Sequence, residues 1–337
     1  MGFLETLHGV IAGRDLRASE AEDAMLAILE GAVSVPLVAS FLVALRMKGE
    51  TTDELFGLVR AMRSKSTRVE VEGPLLDTCG TGGDGQGTFN VSTAAAFVAA
   101  GAGVRVAKHG NRSISSKTGS ADVFEALGVK IALTPDQMAA CIREVGIAFL
   151  FAPALHPAMK HAQAARLELK MRTVFNLLGP LANPAGASAQ VIGAPSVEFA
   201  ELMAGALARF GAGNAFVVHG SDGIDEITIS GSSTLFHVHG GAVTRLEVMP
   251  SDFGVARAGL DRLRADSVEE SVRIIRAVLA GEAGPARDIV VVNAAAALVA
   301  SGAASDFRHG AEIARTSIDS GKAAAKVAQL AAFSGRL

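Results

Sequence analysis

The segment Gly80-Thr81-Gly82-Gly83-Asp84-Gly85 is the first place along the chain where the residue types point to chemistry. Glycine carries no Cβ, so its backbone N–H groups can come close to an anion. The loop continues through Gln86-Gly87-Thr88-Phe89 to Asn90-Val91-Ser92-Thr93. The side-chain oxygens there suit a helix start, and a helix N-terminus adds partial positive charge. Such a cradle fits phosphate. A dinucleotide fingerprint would need a helix opening at once and an acid about 20 residues on, whereas this loop is longer and Arg105 stands at that distance. A Walker loop would need Gly-Lys-Ser/Thr, which is missing. Asp84 is informative because a carboxylate beside a polyphosphate is repulsive; it is expected to meet a ribose hydroxyl or to act through a cation. Taken alone, the loop is also readable as a ligand-free turn between strand and helix.

A second loop, Lys108-His109-Gly110-Asn111-Arg112-Ser113-Ile114-Ser115-Ser116-Lys117-Thr118-Gly119-Ser120, again ends at a helix start. Its cations Lys108, Arg112 and Lys117 and its hydroxyls are suited to phosphate oxygens. In an open α/β sheet, ligands sit outside the carboxyl ends of the strands, so loops after consecutive strands share one crevice. A third loop, His219-Gly220-Ser221-Asp222-Gly223-Ile224-Asp225-Glu226, gathers acids at the same sheet edge. Oxygen ligands without cysteine suit Mg²⁺, which takes one or two carboxylates and completes its shell with water and substrate phosphate. Asp225 and Glu226 are thus candidates for a Mg²⁺–diphosphate bridge, the plain alternative being a solvated turn. A last stretch runs from Leu155-His156-Pro157 past Arg166 to Arg172-Thr173-Val174-Phe175-Asn176-Leu177-Leu178-Gly179-Pro180-Leu181-Ala182-Asn183-Pro184. His156 is either a hydrogen-bonding or acid/base group or a structural histidine. No Ser/His/Asp or Cys/His pattern announces a covalent nucleophile.

These loops need a frame, and 337 residues with 50% hydrophobic and 19% charged content provide a globular chain with a large core. Fibrous and disordered classes are excluded. A net charge of −3 argues against a domain that neutralises a nucleic-acid backbone, so no nucleic-acid partner is expected. Cys79 and Cys141 are too few for a disulfide framework and lack metal-ligand spacing, which predicts a cytoplasmic setting. The start, Met1-Gly2-Phe3-Leu4-Glu5, is no secretory signal, and the apolar runs break well short of ~20 residues, so no membrane span is expected.

The first seventy residues read as helices. Ser19-x-x-Glu22 and Thr51-x-x-Glu54 are predicted capping boxes, Pro36 suits a first turn, and Gly31 and Gly49 suit helix ends. Val69-Glu70-Val71-Glu72-Gly73 alternates as a strand or linker. Short apolar runs then alternate with Gly-rich turns and Ala-rich helices. Strands are predicted at Leu75-Leu76, 104–106, 147–151, 190–193 and 215–219, and helices near 92–100 and after Ser267-x-x-Glu270. The predicted fold class is α/β: a small N-terminal all-helical domain, residues 1–70, plus a larger α/β domain, 71–337, whose mainly parallel central sheet is flanked by helices. Residues 157–184, richer in polar helix formers, are expected to rejoin the helical domain.

Five motifs together carry a resemblance: Asp77-x-Cys79-Gly80-Thr81-Gly82-Gly83-Asp84, Thr88 to Thr93, Lys108-His109-Gly110-Asn111-Arg112, the run from Arg172 to Pro180, and Asp222-Gly223-x-Asp225-Glu226. In this order and spacing, over nearly the whole chain, the sequence resembles the anthranilate phosphoribosyltransferase family, of the nucleoside-phosphorylase-like phosphoribosyltransferase fold. The resemblance implies transfer of a phosphoribosyl group from phosphoribosyl diphosphate to the amine of anthranilate, in tryptophan biosynthesis, by a homodimer joined through the helical domain. It implies that the donor is held by Gly80, Gly82, Gly83, Asp84, Thr88, Asn90, Val91, Ser92, Thr93, Lys108, His109, Gly110, Asn111, Arg112, Ser113, Ile114, Ser115, Ser116 and Ser120. It also implies two Mg²⁺ ions on Ser92, Asp225 and Glu226, and a catalytic set of Lys108, Asn111, Arg166, His109 and His156. Asn111 and Arg166 would contact anthranilate, with the histidines nearby. The chain departs from the pattern at Leu155, where an aromatic commonly precedes the histidine, at Ala164, where proline is usual, and in 232–241, which lacks the usual acid and carries two histidines expected to be exposed bystanders on a strand. With Trp 0 and Tyr 0, Arg166, Asn111 and aliphatic walls must grip an aromatic acceptor.

Two other readings stay open at this point. A pyrimidine nucleoside phosphorylase shares the architecture, but orthophosphate needs no metal pair and leaves Asp225-Glu226 unexplained. A non-catalytic relative would bind nucleic acid through Arg60, Arg63, Lys65 and Arg68, against the net charge and the acid pair.

Overall fold

A computed structural model describes residues 2–112, 118–211 and 213–337. The chain opens with four helices, α1 (Phe3–Ile11), α2 (Ala18–Leu29), α3 (Val35–Lys48) and α4 (Thr52–Ser64). The box at Thr51 forms: its hydroxyl accepts from the Glu54 amide while the Glu54 carboxylate accepts from the Thr51 amide at 2.8 Å. Glu54 is fully buried, so it also takes the Leu16 amide at 2.9 Å and Lys48 at 3.0 Å. The box expected at Ser19 does not form. Helix α2 begins earlier, and Glu20 instead accepts from the Arg17 amide at 2.9 Å. That carboxylate also takes the Arg14 and Arg17 side chains; the Arg17 amide first, and then these two cations, hold its pKa down to about 2. Glu22 pairs with Arg60, Lys65 pairs with Glu30, and Arg63 donates to the Leu181 carbonyl. Three of the four cations proposed as a nucleic-acid surface are therefore engaged within the fold.

Residues 65–75 form no strand, because the amides of Thr67 and Val69 donate to Leu155 and Pro184 instead of to a neighbouring strand. The α/β part continues with β1 (Leu76–Gly80), α5 (Val91–Gly101), β2 (Val106–Gly110), α6 (Ser120–Ala126), α7 (Pro135–Val145) and β3 (Ile147–Phe151). Next come α8 (Ala152–Leu155), α9 (Lys160–Leu169), α10 (Phe175–Leu181), β4 (Ala189–Gly193), α11 (Val197–Arg209) and β5 (Asn214–Gly220). The chain closes with β6 (Ser233–His239), β7 (Ala242–Val248), α12 (Val268–Leu279), α13 (Pro285–Ala300), α14 (Phe307–Asp319) and α15 (Lys322–Ser334).

Among the described residues the strands order as β3-β2-β1-β4-β5-β6-β7. The first five are parallel, and β6 and β7 add an antiparallel edge. Strand side chains alternate between faces, and the two faces feed two cores. Phe216 and Val218 pack with α5 and α13, while Ala215 and Val217 pack with residues of α2, α4 and α11. Buried Ala162, Ala165, Leu177 and Leu178, from α9 and α10, lie in the second core beside the N-terminal helices. His237 is not the exposed bystander expected on β6; it is half-buried, stacked on Phe216 and bonded through Nε2 to Asn214 at 2.7 Å.

Parallel strands run outward from β1 to β3 and then cross back to β4, so a topological switch lies between β1 and β4. A ligand crevice is expected outside the carboxyl ends there. Four of those strands, β1, β2, β4 and β5, end in glycine: Gly80, Gly110, Gly193 and Gly220.

Candidate active site

The glycines at the strand ends make room for the acidic loop. A Cβ at Gly80 would lie 2.6 Å from Asp225 Oδ2, and one at Gly193 would overlap the Asp225 backbone. Pressed onto β1 and β4 in this way, Asp225 accepts the Gly82 amide at 2.8 Å, and Glu226 accepts the Ser92 amide at 3.1 Å at the start of α5. Asn90 caps that helix by accepting from the Thr93 amide at 3.0 Å, and its own amide donates to the Ser271 hydroxyl at 3.0 Å. Thr88 bridges to Arg264, and the Phe89 amide bonds the Leu263 carbonyl. Two of the loop glycines, Gly82 and Gly83, have φ of 68° and 67°, a left-handed conformation that glycine adopts without penalty.

Asp84 turns inward. One oxygen accepts the Gln86 amide at 3.1 Å, while the other is buried without a hydrogen-bond partner. It faces Asp225, and burial together with this neighbour raises the Asp225 pKa. Glu226 is raised too, first by burial and then by Asp225. Crowded, desolvated carboxylates of this kind seek a cation. Among the described residues no set of three His, Cys, Asp or Glu converges as a ready-made metal site. Ser92, Asp225 and Glu226 fit Mg²⁺ only as the partial shell that phosphate oxygens and water would complete. Asp222 plays a different part: Thr228 and Ser230 donate their hydroxyls to it, so it shapes the loop from inside.

Lys108, buried within β2, lowers its charge cost by donating to the Thr78 carbonyl and to Ser92 Oγ at 3.2 Å. Burial pulls its pKa down while Asp77, Cys79 and Glu226 pull it up. The next residue, His109, points to the other side of the strand. Its Nδ1 meets the Gly179 carbonyl at 3.2 Å, and its ring centroid is 5.1 Å from that of His156. The backbone of Ala182 acts on the His156 ring and works against the lowering of its pKa by burial. In both rings Nε2 is buried and unpartnered; in His109, where Nδ1 faces a carbonyl, Nδ1 carries the hydrogen and Nε2 is a bare acceptor. Burial holds the pKa of His109 at about 3 and that of His156 at about 4, and both rings are neutral near pH 7. Arg166 lies half-buried on α9, 5.4 Å from the Phe175 ring, with no carboxylate partner among the described residues. Leu155, beside His156 in the chain, is fully buried and forms apolar wall.

The remaining expected site residues divide. Gly110 abuts Ser120, whose hydroxyl reaches the Asn111 carbonyl at 3.4 Å. Asn111 is exposed at the mouth of the second loop, and Val91, the first residue of α5, is buried. Arg112 pairs with Asp122 and Glu125, each at 2.6 Å. Ser113, Ile114, Ser115 and Ser116, with Lys117, lie outside the described residues. The motifs also contain members whose part emerges only from the fold. Thr81 Oγ1 is a further buried, unpartnered oxygen in the phosphate loop, and Arg172 donates to the Gly82 carbonyl across the crevice. Asp77 and Asn183 bond each other at 2.8 Å beneath His109. All four residues stand in or beside the sequence motifs, but nothing in their spacing marks them as partners.

A model of the glycosyl transferase family α/β domain matches residues 72–324, and one of the helical bundle domain of the same family matches 4–66. An anthranilate phosphoribosyltransferase of Solibacter usitatus is 57% identical over 336 residues, covering 99% of each chain. The chain belongs to the anthranilate phosphoribosyltransferase family. Another member of this family, from Moorella thermoacetica, is 51% identical over 96% of each chain. The crystal structure of the Thermus thermophilus anthranilate phosphoribosyltransferase is 43% identical with a TM-score of 0.92, covering 98% of this chain and 99% of that one. The Saccharomyces cerevisiae anthranilate phosphoribosyltransferase, in complex with phosphoribosyl diphosphate and Mg, is 29% identical with a TM-score of 0.91, covering 99% and 98%. No helix among the described residues is long and apolar enough to cross a membrane.

Proposed function

We propose that the chain transfers the phosphoribosyl group of 5-phosphoribosyl 1-diphosphate to the amine of anthranilate, giving N-(5-phosphoribosyl)anthranilate and diphosphate in tryptophan biosynthesis. The observation that carries this reading is the glycine loop pressed against a crowded, buried acid pair at the ends of β1 and β4; two neutral imidazoles with bare Nε2 atoms, and an arginine without a carboxylate partner among the described residues, support it. In this mechanism the loop amides from Gly80 to Thr93 and the start of α5 bind the donor. Ser92, Asp225 and Glu226 would hold two Mg²⁺ ions, which when bound supply counter-charge to the departing diphosphate. Lys108 and Ser120 line the same side, with Asn111 at the mouth. Arg166 pairs with the anthranilate carboxylate. The amine has two N–H donors, and the Nε2 acceptors of His109 and His156 take them, which turns the nitrogen lone pair towards the anomeric carbon. The N–C bond forms as the C–O bond to diphosphate breaks, and the surplus amine proton leaves through an imidazole or water. A weak base is enough because the alkylated aryl ammonium is a strong acid.

A homodimer associated through the helical unit belongs to the same reading, and exposed Leu4, Ile11 and Met47 on α1 and α3 support it. So does a division into residues 1–70, joined by helices from 157–184, and 71–337, with a cytoplasmic location. The decisive assay follows anthranilate fluorescence. Decay is expected only when phosphoribosyl diphosphate and Mg²⁺ are both added. Phosphorolysis of thymidine or uridine with no anthranilate consumption would overturn the reading in favour of a nucleoside phosphorylase, a reaction that leaves the acid pair idle.

A further inference from the structure

Asp77, the second residue of β1, is fully buried, and no Lys, Arg or His side chain pairs with it among the described residues. The neighbouring cation, Lys108, is committed to Thr78 and Ser92 instead. The carboxylate is satisfied by uncharged donors: Oδ1 accepts the His109 amide at 3.1 Å and Oδ2 accepts Asn183 Nδ2 at 2.8 Å. A buried carboxylate without an ion pair is costly to keep, so its geometry must matter. Asn183 carries that geometry onward. Its amide also donates to the Ala107 carbonyl at 2.9 Å, and its Oδ1 accepts the Ala185 amide at 2.9 Å. Asp77 and Asn183 thereby bolt the 179–185 segment to β2.

That segment supplies the Gly179 carbonyl to which His109 donates, and its Ala182 backbone acts on His156, whose ring centroid is 5.1 Å from that of His109. One carboxylate thus fixes His109 from below through its amide, and holds from the side the segment that meets both rings. We propose that Asp77, acting through Asn183, is a positioning residue that aims the Nε2 atoms of His109 and His156 at the acceptor amine. This rests on the acceptor role given to the two rings above. Only a carboxylate can do it: an amide at position 77 has a single acceptor and would turn its NH₂ against either the His109 amide or Asn183 Nδ2.

Two measurements on Asp77→Asn and Asn183→Ala decide the matter. In ¹⁵N NMR of histidine-labelled protein, the wild type should show two rings locked as the Nδ1–H tautomer with bare Nε2, and both variants should lose that lock. In steady-state kinetics, kcat/KM for anthranilate should fall roughly 10- to 100-fold while KM for phosphoribosyl diphosphate stays within about threefold, as expected when a reacting group is misplaced and not removed. The double variant should be no worse than the worse single one. Unchanged tautomers in folded Asn183→Ala, or equal losses for both substrates that track the fall in Tm, would overturn the assignment. Should Asp77→Asn fail to fold, Asn183→Ala carries both measurements. A wild type that does not consume anthranilate would defeat the transferase reading, and the NMR result would still decide whether Asp77 sets the two rings.

Discussion

The two halves of the crevice solve opposite electrostatic problems. On the donor side Asp84, Asp225 and Glu226 crowd against backbone amides, and burial with mutual repulsion raises the last two. On the acceptor side two imidazoles are kept neutral, and the cation without a carboxylate partner, Arg166, stands on a separate helix. In the proposed transfer, charge is gathered where the polyanionic diphosphate departs, and withheld where a nitrogen lone pair must stay available. The comparison also separates two ways of building a site. The donor side is made of loops that each follow one strand end, whereas the acceptor side is pieced together from β2, α9, residue 156 and the 179–185 segment.

The largest effect expected from disturbing this contrast is on the donor side. Asp225→Asn with Glu226→Gln should lower kcat by on the order of 10³-fold or more, since preorganised charge usually contributes more to catalysis than any other single effect. It should also raise the Mg²⁺ needed for half-maximal rate; initial rates across a Mg²⁺ titration test this, and an unaltered dependence would remove the metal role. On the acceptor side, Arg166→Ala should cost about 2–3 kcal/mol of binding to a charged partner, on the order of 10²-fold in kcat/KM for anthranilate. Equal losses for the two substrates would dissolve the division between the halves.

A smaller effect should appear in stability. His109 and His156 titrate at about 3 and about 4 in the fold, against 6.5 for a free imidazole. Between those values the unfolded chain binds protons that the folded chain refuses, so stability rises with pH through this window and falls on acidification. The Tm of the wild type should drop from about pH 6.5 down to about pH 4, and His109→Asn with His156→Asn should flatten that slope. The smallest effect lies away from the crevice altogether. Thr51→Ala, which removes the cap of α4, should cost about 1 kcal/mol in urea denaturation and leave kcat within about twofold.

How far the site was legible follows the same division. The glycine loop from Gly80 to Thr93 and the Asp225-Glu226 pair could be read directly, because each is a contiguous run and the loop's backbone geometry is dictated by glycine spacing. The capping box at Thr51 was legible for the same local reason, while the one at Ser19 was not, because the helix start was decided by Glu20 drawing in Arg14 and Arg17. The partners of Arg112, Asp122 and Glu125, were not legible beside it, because α6 brings them from 10 and 13 residues further on. Strand positions were close, though β1 and β2 each begin later than the apolar runs suggested.

What the amino-acid sequence determined by itself was the class of fold, the glycine loop, the acid pair and the family. Each of these is written in short windows, where local stereochemistry and charge act over a few residues. The tertiary structure decided which buried side-chain polar groups are left without partners among the described residues: Nε2 of His109 and His156, one oxygen of Asp84, and the hydroxyls of Thr81 and Thr93. It set the Arg166 guanidinium near the Phe175 ring and away from any described carboxylate. It also decided that a carboxylate on β1 and an amide more than a hundred residues later meet at 2.8 Å. Desolvation and hydrogen-bond satisfaction depend on everything that surrounds an atom, and no run of neighbours along the chain contains that information.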